Sequence, residues 1–136
     1  MIGVGLLVLR LVLGVIFIGH GAQKLFGSFG GPRISGFAKM LEQLGVRPAR
    51  PMAILAGLAE FVGGILVILG FLTPLAALAL IGVMIVAVLT VHLKNGFFVS
   101  NGGYEFNLAL AGMALTLLIV GAGAYSLDAV LGILWQ

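Results

Sequence analysis

Residues Leu58 to Leu78 read LAEFVGGILVILGFLTPLAAL. One charge, Glu60, interrupts a run of hydrocarbon and glycine, and the only break is the tight link Phe71-Leu72-Thr73-Pro74. A helix that crosses a membrane needs ~20 apolar residues. The stretch therefore holds most of one such helix, a turn that permits only an antiparallel return, and the start of a second helix. Thr73 is placed to cap that second helix, with Pro74 at its first position.

The rest of the chain repeats this character. Its 136 residues are 62% hydrophobic and only 8% charged, with a mean hydropathy of +1.29. A soluble domain carries roughly 25% charged residues, and a chain this short has too little interior to hide so much apolar surface from water. Four segments, about 2–26, 51–71, 74–93 and 104–121, are long and apolar enough to span. The first lacks a basic leader, exceeds the length of a signal-peptide core and carries Arg10 in its middle, so it reads as retained. The expected fold is all-α: a single transmembrane domain over residues 1–136, built as a polytopic four-transmembrane-helix bundle. A short interfacial helix in the first loop and an amphipathic C-terminal segment complete it. There is no internal repeat. The absence of cysteine excludes a disulfide framework and a thiol redox centre. Seven Lys and Arg give a net charge of +3, which reflects placement at one membrane face and not a nucleic-acid footprint.

The links carry more information. Between Ile34 and Leu44 the apolar residues Ile34, Phe37, Ala38, Leu41 and Leu44 recur at helical spacing. That predicts a short amphipathic helix in the headgroup layer, ended by Gly45. The third link, KNGFFVSNGGYE, has turn signals at Asn95-Gly96 and Asn101-Gly102-Gly103 around a short apolar run, which suggests a hairpin-like flap. In the tail, Ser126 suits an N-cap, Asp128 falls in the first turn and Trp135 suits the interface. Lys24, Arg33, Lys39, Arg47, Arg50 and Lys94 all belong to one side. The positive-inside rule then places loops 27–50 and 94–103 in the cytoplasm and both termini outside a bacterial or archaeal cytoplasmic membrane.

Polar residues within the bilayer need partners, because each costs on the order of 3 kcal/mol when it faces lipid. Arg10 and Glu60 fall at depths that differ by only a few ångströms at ~1.5 Å per residue, so an intramembrane Arg10–Glu60 ion pair is expected, with Asp128 as a competitor for Arg10. Antiparallel pairing brings His20 near the level of Glu60. With Gln23, Lys24, His92, Asn95, Glu105 and Asn107 these residues come from all four helices and converge on one half of the membrane. His20, Glu60, His92 and Glu105 are the candidate catalytic residues, and Arg10, Gln23, Lys24, Asn95 and Asn107 the candidate ligand-binding ones. The His and Glu side chains are ligand types for a transition metal, yet no HxxxH or ExxH spacing occurs. Hydrogen bonds and a proton relay around a small polar headgroup fit the set better, since histidines exchange protons near neutral pH. Small residues on the second helix (Ala53, Ala56, Gly57, Gly63, Gly64) and the fourth (Ala109, Gly112, Thr116) allow close helix packing, which also permits a homo-oligomer.

Several runs resemble the DoxX family of small membrane proteins: LRLVLGVIFIGHGAQKLFG, LAEFVGGILVILGFLTPLAAL, VHLKNGFF, GGYEFNLAL and GAGAYSLDAVLG, in that order along the whole chain. One departure lies at Ala122 and Ala124, where the family commonly reads Gly-Pro-Gly-Arg/Lys-Tyr-Ser-Leu-Asp. It leaves Arg10 as the evident cation for Asp128. The resemblance implies a four-helix integral membrane protein, described in the family as an oxidoreductase or as a membrane subunit linked to quinone reduction, sulfur-compound oxidation or oxidative stress. This chain has no flavin, nicotinamide, Fe–S or c-haem motif, so redox chemistry here requires a bound quinone, a metal or a soluble redox partner protein. Three functions are therefore carried forward: a quinone-associated redox subunit, a small-solute carrier, and a membrane scaffold that docks a soluble enzyme on its basic loops.

Overall fold

The computed structural model describes residues 1–133, and among them every regular element is helical. Trp135 lies outside the described residues. The elements are α1 (Ile2–Phe26), α2 (Arg33–Gln43), α3 (Ala49–Leu69), α4 (Thr73–Ala87), α5 (Glu105–Val120) and α6 (Leu127–Val130). A π-turn over Val88–His92 and a 3-10 turn over Leu93–Asn95 extend α4 without a break, so its helical run reaches Asn95. Three runs are long and apolar enough to cross a membrane: Ile2–Phe26, Ala49–Leu69 and Thr73–Asn95. The helix α5 is as apolar but has 16 residues.

Helices α1 and α3 form the tightest pair. A Cβ on Gly64 would stand 2.8 Å from the Gly14 carbonyl oxygen, and one on Gly14 would stand 2.7 Å from the Gly64 carbonyl oxygen. Only glycine at both positions lets the two backbones meet this closely. Gly63, one residue on, faces the other way, toward Leu80 of α4. The core joins all four long helices through Leu13 and Phe17 of α1, Val67 of α3, Ala77, Leu80 and Met84 of α4, and Leu110, Ala114 and Leu117 of α5. The outward face is equally apolar: Val8, Val15, Leu55, Leu58, Leu78, Ile85 and Ile119 are all exposed. A molecule apolar on both its inner and outer faces is built for lipid, not water.

The amphipathic helix of the first link is present as α2. Its stripe of Phe37, Ala38 and Leu41 packs on Ala53 at the start of α3, with Val46 and Met52 alongside. The apolar stripe of this helix is thus covered by protein. At the start of α4 the structure departs from the expected Thr73 cap. Thr73 already lies in the helix, and Leu72, in the left-handed region at φ 50°, is the N-cap. A capping side chain must belong to a residue with non-helical backbone. The carboxylate of Asp128 caps instead, accepting N–H bonds from Leu72 at 2.9 Å and Thr73 at 3.1 Å. Ser126 does cap α6, its Oγ accepting from the Ala129 amide at 3.1 Å.

Candidate functional site

The polar residues fall into two groups, at opposite ends of the bundle. Arg10 is 1% exposed, and its guanidinium donates to four carbonyls: Val67 at 2.9 Å, Ile68 at 2.8 Å, Ala122 at 2.9 Å and Tyr125 at 2.9 Å. The expected Arg10–Glu60 ion pair is therefore replaced. Arg10 meets the last turn of α3, about seven residues or ~10 Å beyond Glu60. A helix ends with carbonyls that have no intrahelical partner, and a guanidinium with its fan of donors fits them. Gly70 closes this end of α3 in the left-handed region at φ 65°. A Cβ there would lie 3.0 Å from Arg10 Cζ and 2.4 Å from Ser126 Cβ. The Asp128 amide donates to the Gly70 carbonyl at 2.9 Å. Arg10 and Asp128 thus bind the C-terminal segment across the α3–α4 turn, each through backbone groups.

Midway along α3 and toward the other end, Glu60, also 1% exposed, is held by Lys24, the one ion pair within 4.0 Å among the described residues. The Lys24 ammonium also lies over the Phe37 ring, 4.9 Å from its centroid, a favourable cation–π placement. Helix α2 thereby covers the pair from the side of the first link.

His20 does not join it. Gly14 and Gly21, seven residues apart on α1, share the face that touches α3; a Cβ on Gly21 would stand 2.5 Å from the Phe61 nitrogen. One residue before Gly21, His20 points about 100° away from that face. Its ring lies against Phe106 of α5, centroids 5.9 Å apart. Together with Val15, Ile16, Gly19, Gln23 and Phe29 these two rings line a lateral groove of about 280 Å³. His20 and Gln23 supply its polar side chains, and neither makes a side-chain hydrogen bond among the described residues.

Three of the remaining candidates serve the third link. His92 Nδ1 donates to the Gly102 carbonyl at 2.7 Å, and Asn95 Nδ2 donates to the same oxygen at 3.2 Å. Glu105 accepts from the Val99 amide at 3.1 Å. Asn107 is buried between α4 and α5, its amide donating to Met84 Sδ at 3.6 Å. The nine predicted residues are thus divided among the Arg10 knot, the Lys24–Glu60 pair, the His20–Gln23 groove, the fastened third link and the Asn107–Met84 contact. Among the described residues no three His, Asp or Glu side chains gather as a metal-binding group. Reading the residues one by one missed Phe29 and Phe106 of the groove. The available signal was the Gly14–Gly21 spacing, which marks the α3-facing side and so turns His20 toward α5.

The DoxX family model matches residues 5–93. The chain is 33% identical to Inner membrane protein YqjF of Escherichia coli (strain K12), over 97% of its own length and 95% of the relative's. It is 30% identical to a Bacillus subtilis (strain 168) protein named Putative oxidoreductase CatD, over 92% and 85% of the two chains. It is 34% identical to Inner membrane protein YphA of Escherichia coli (strain K12), over 90% and 87%. No solved structure matches the chain.

Proposed function

The chain belongs to the DoxX family, and from that premise we propose that it is a four-span inner-membrane protein serving as the quinone-associated subunit of a redox system. In this reading α5 is the fourth span, the links over residues 27–50 and 94–103 face the cytoplasm, and both termini lie outside. The exposed Arg33, Lys39, Arg47, Arg50 and Lys94 support that orientation by the positive-inside rule.

The observation that carries the functional reading is the lateral groove. It is walled by α1 and α5, opens on the apolar exterior of the bundle, and presents an imidazole and an amide beside two aromatic rings. A flat, lipid-soluble headgroup with ring carbonyls matches each of these features: Phe106 and Phe29 flank its plane, while His20 and Gln23 donate to its oxygens. When bound, a quinone supplies two-electron, two-proton chemistry. His20 is the group in the groove able to pass a proton to a ring oxygen. Lys24 lies one turn further along α1, paired with Glu60 of α3, and the two offer a route from the groove toward the first link. The chain itself has no cysteine and no cofactor motif, so the electrons come from a soluble redox protein. The exposed basic loops suit a partner with an acidic face. The name of the Bacillus subtilis relative supports a redox-linked role.

Titration of a short-tailed quinone analogue against the detergent-purified protein tests the reading. Saturable binding is expected, and His20→Ala should weaken it about fivefold, the value of one hydrogen bond. His92→Ala, outside the groove, should leave it unchanged. Binding that is absent from well-folded protein, or indifferent to His20→Ala, would refute the assignment.

A further inference from the structure

The link between α4 and α5 exposes three consecutive apolar side chains, Phe97 at 42%, Phe98 at 61% and Val99 at 55%. They form one patch, because the Phe97 ring packs edge-on against Phe98 at 5.2 Å and Tyr104 at 5.6 Å. Three observations identify what covers it.

The first is length. Helix α5 has 16 residues, or ~24 Å at 1.5 Å per residue, whereas the hydrocarbon core is ~30 Å thick. On the four-span reading proposed above, on which this inference rests, the chain beside α5 must complete the crossing. The second is the backbone. Irregular chain survives in an apolar medium only when its polar groups are partnered internally. Here the amides of Tyr104, Glu105 and Gly103 donate to the carbonyls of Gly96 at 3.1 Å, Phe97 at 2.8 Å and Phe98 at 2.9 Å. The Val99 amide is taken by Glu105, and the Gly102 carbonyl by His92 and Asn95. A turn bathed in water could leave these groups to solvent. The third is continuity. Exposed Leu89 and Leu93 lead into the flap and exposed Phe106 leads out of it, so its apolar patch extends the outward-facing band of α4 and α5. Exposed Lys94 stands beside the patch, where a long side chain can reach headgroups.

We infer that residues 96–104 are a lipid-embedded flap, seated at the boundary of acyl chains and headgroups on the side of the basic loops, where it completes the span begun by α5. The occupant of the Phe97–Phe98–Val99 patch is lipid, and His92, Asn95 and Glu105 are the fasteners that let this backbone enter it.

Tryptophan quenching in reconstituted vesicles tests this. The native Trp135 is replaced by Phe, and single tryptophans are introduced as Phe98→Trp and, on the exposed face midway along α5, Leu115→Trp. The vesicles contain phosphatidylcholine and phosphatidylglycerol brominated either near the headgroup or deep in the acyl chain, and iodide is the aqueous quencher. A roughly twofold loss of Phe98→Trp emission is expected with bromine near the headgroup, together with resistance to iodide. If iodide quenches Phe98→Trp and bromolipid does not, while deep bromine quenches Leu115→Trp, the flap inference fails and the fourth span survives. If bromolipid leaves Leu115→Trp untouched, both fall. Should Phe98→Trp fail to reconstitute, Val99→Trp provides the same reading one residue on.

Discussion

At one end of the bundle Arg10 and Asp128 are held by backbone groups; at the other, Lys24 and Glu60 are held by each other. The difference follows from where each residue stands along its neighbour. Arg10 lies beside the final turn of α3 and Asp128 beside the first turn of α4, where helix termini leave carbonyls and amides unbonded. Arg10 there satisfies the Ile68 carbonyl, and Asp128 the Leu72 and Thr73 amides, groups that would otherwise be orphaned. Glu60 sits in the middle of α3, where the backbone is already bonded to itself, so only a side chain can answer it. One end is consequently a closed knot that ties the C-terminal segment to three helices. The other retains polar side chains, His20 and Gln23, that are free to meet a ligand.

Substitutions can break or sharpen this contrast. The largest effect is expected for Arg10→Ala, which strands the carbonyls of Ile68, Ala122 and Tyr125, leaves Val67 only its Gly70 amide, and opens a cavity. A loss on the order of 4 kcal/mol should appear in unfolding titrated by denaturing detergent in micelles. Lys24→Ala leaves Glu60 buried without a partner and should cost about 3 kcal/mol in the same assay. If Arg10→Ala proved the milder of the two, the knot would not be the stronger anchor. Gly64→Ala forces a methyl group toward the Gly14 carbonyl, and a cost of about 2 kcal/mol is expected from separating α1 and α3. A neutral result would show that the pair has slack. His20→Ala should leave the unfolding midpoint where it was while weakening quinone-analogue binding. Equal loss of stability and binding would mean that the groove is merely packed structure.

Much of this architecture is legible in the sequence. Apolar run length alone specifies three of the long helices, because lipid demands a fixed count of hydrocarbon residues. The Phe71–Pro74 link dictates that α3 and α4 return on each other, and the periodicity of Phe37, Ala38 and Leu41 reveals α2. Ser126 declares its capping role locally. Several of the residues that misled the reading have backbone groups as partners. Nothing in the identity of Arg10 or Asp128 indicates that carbonyls and amides at helix ends will satisfy them, since every residue carries those groups and only the ending of a helix makes them available.

The amino-acid sequence by itself determined that the chain is helical, apolar on every side and poor in charge, for these properties are sums over residues and need no knowledge of neighbours. Tertiary structure alone decided which charge met which partner. Rotation of about 100° per residue separates His20 from the face that carries Gly14 and Gly21. The register of α1 against α3 sends Arg10 past Glu60 to the end of its neighbour and leaves Glu60 to Lys24. Depth in the membrane can be counted along a sequence, but azimuth and register are properties of helices in contact.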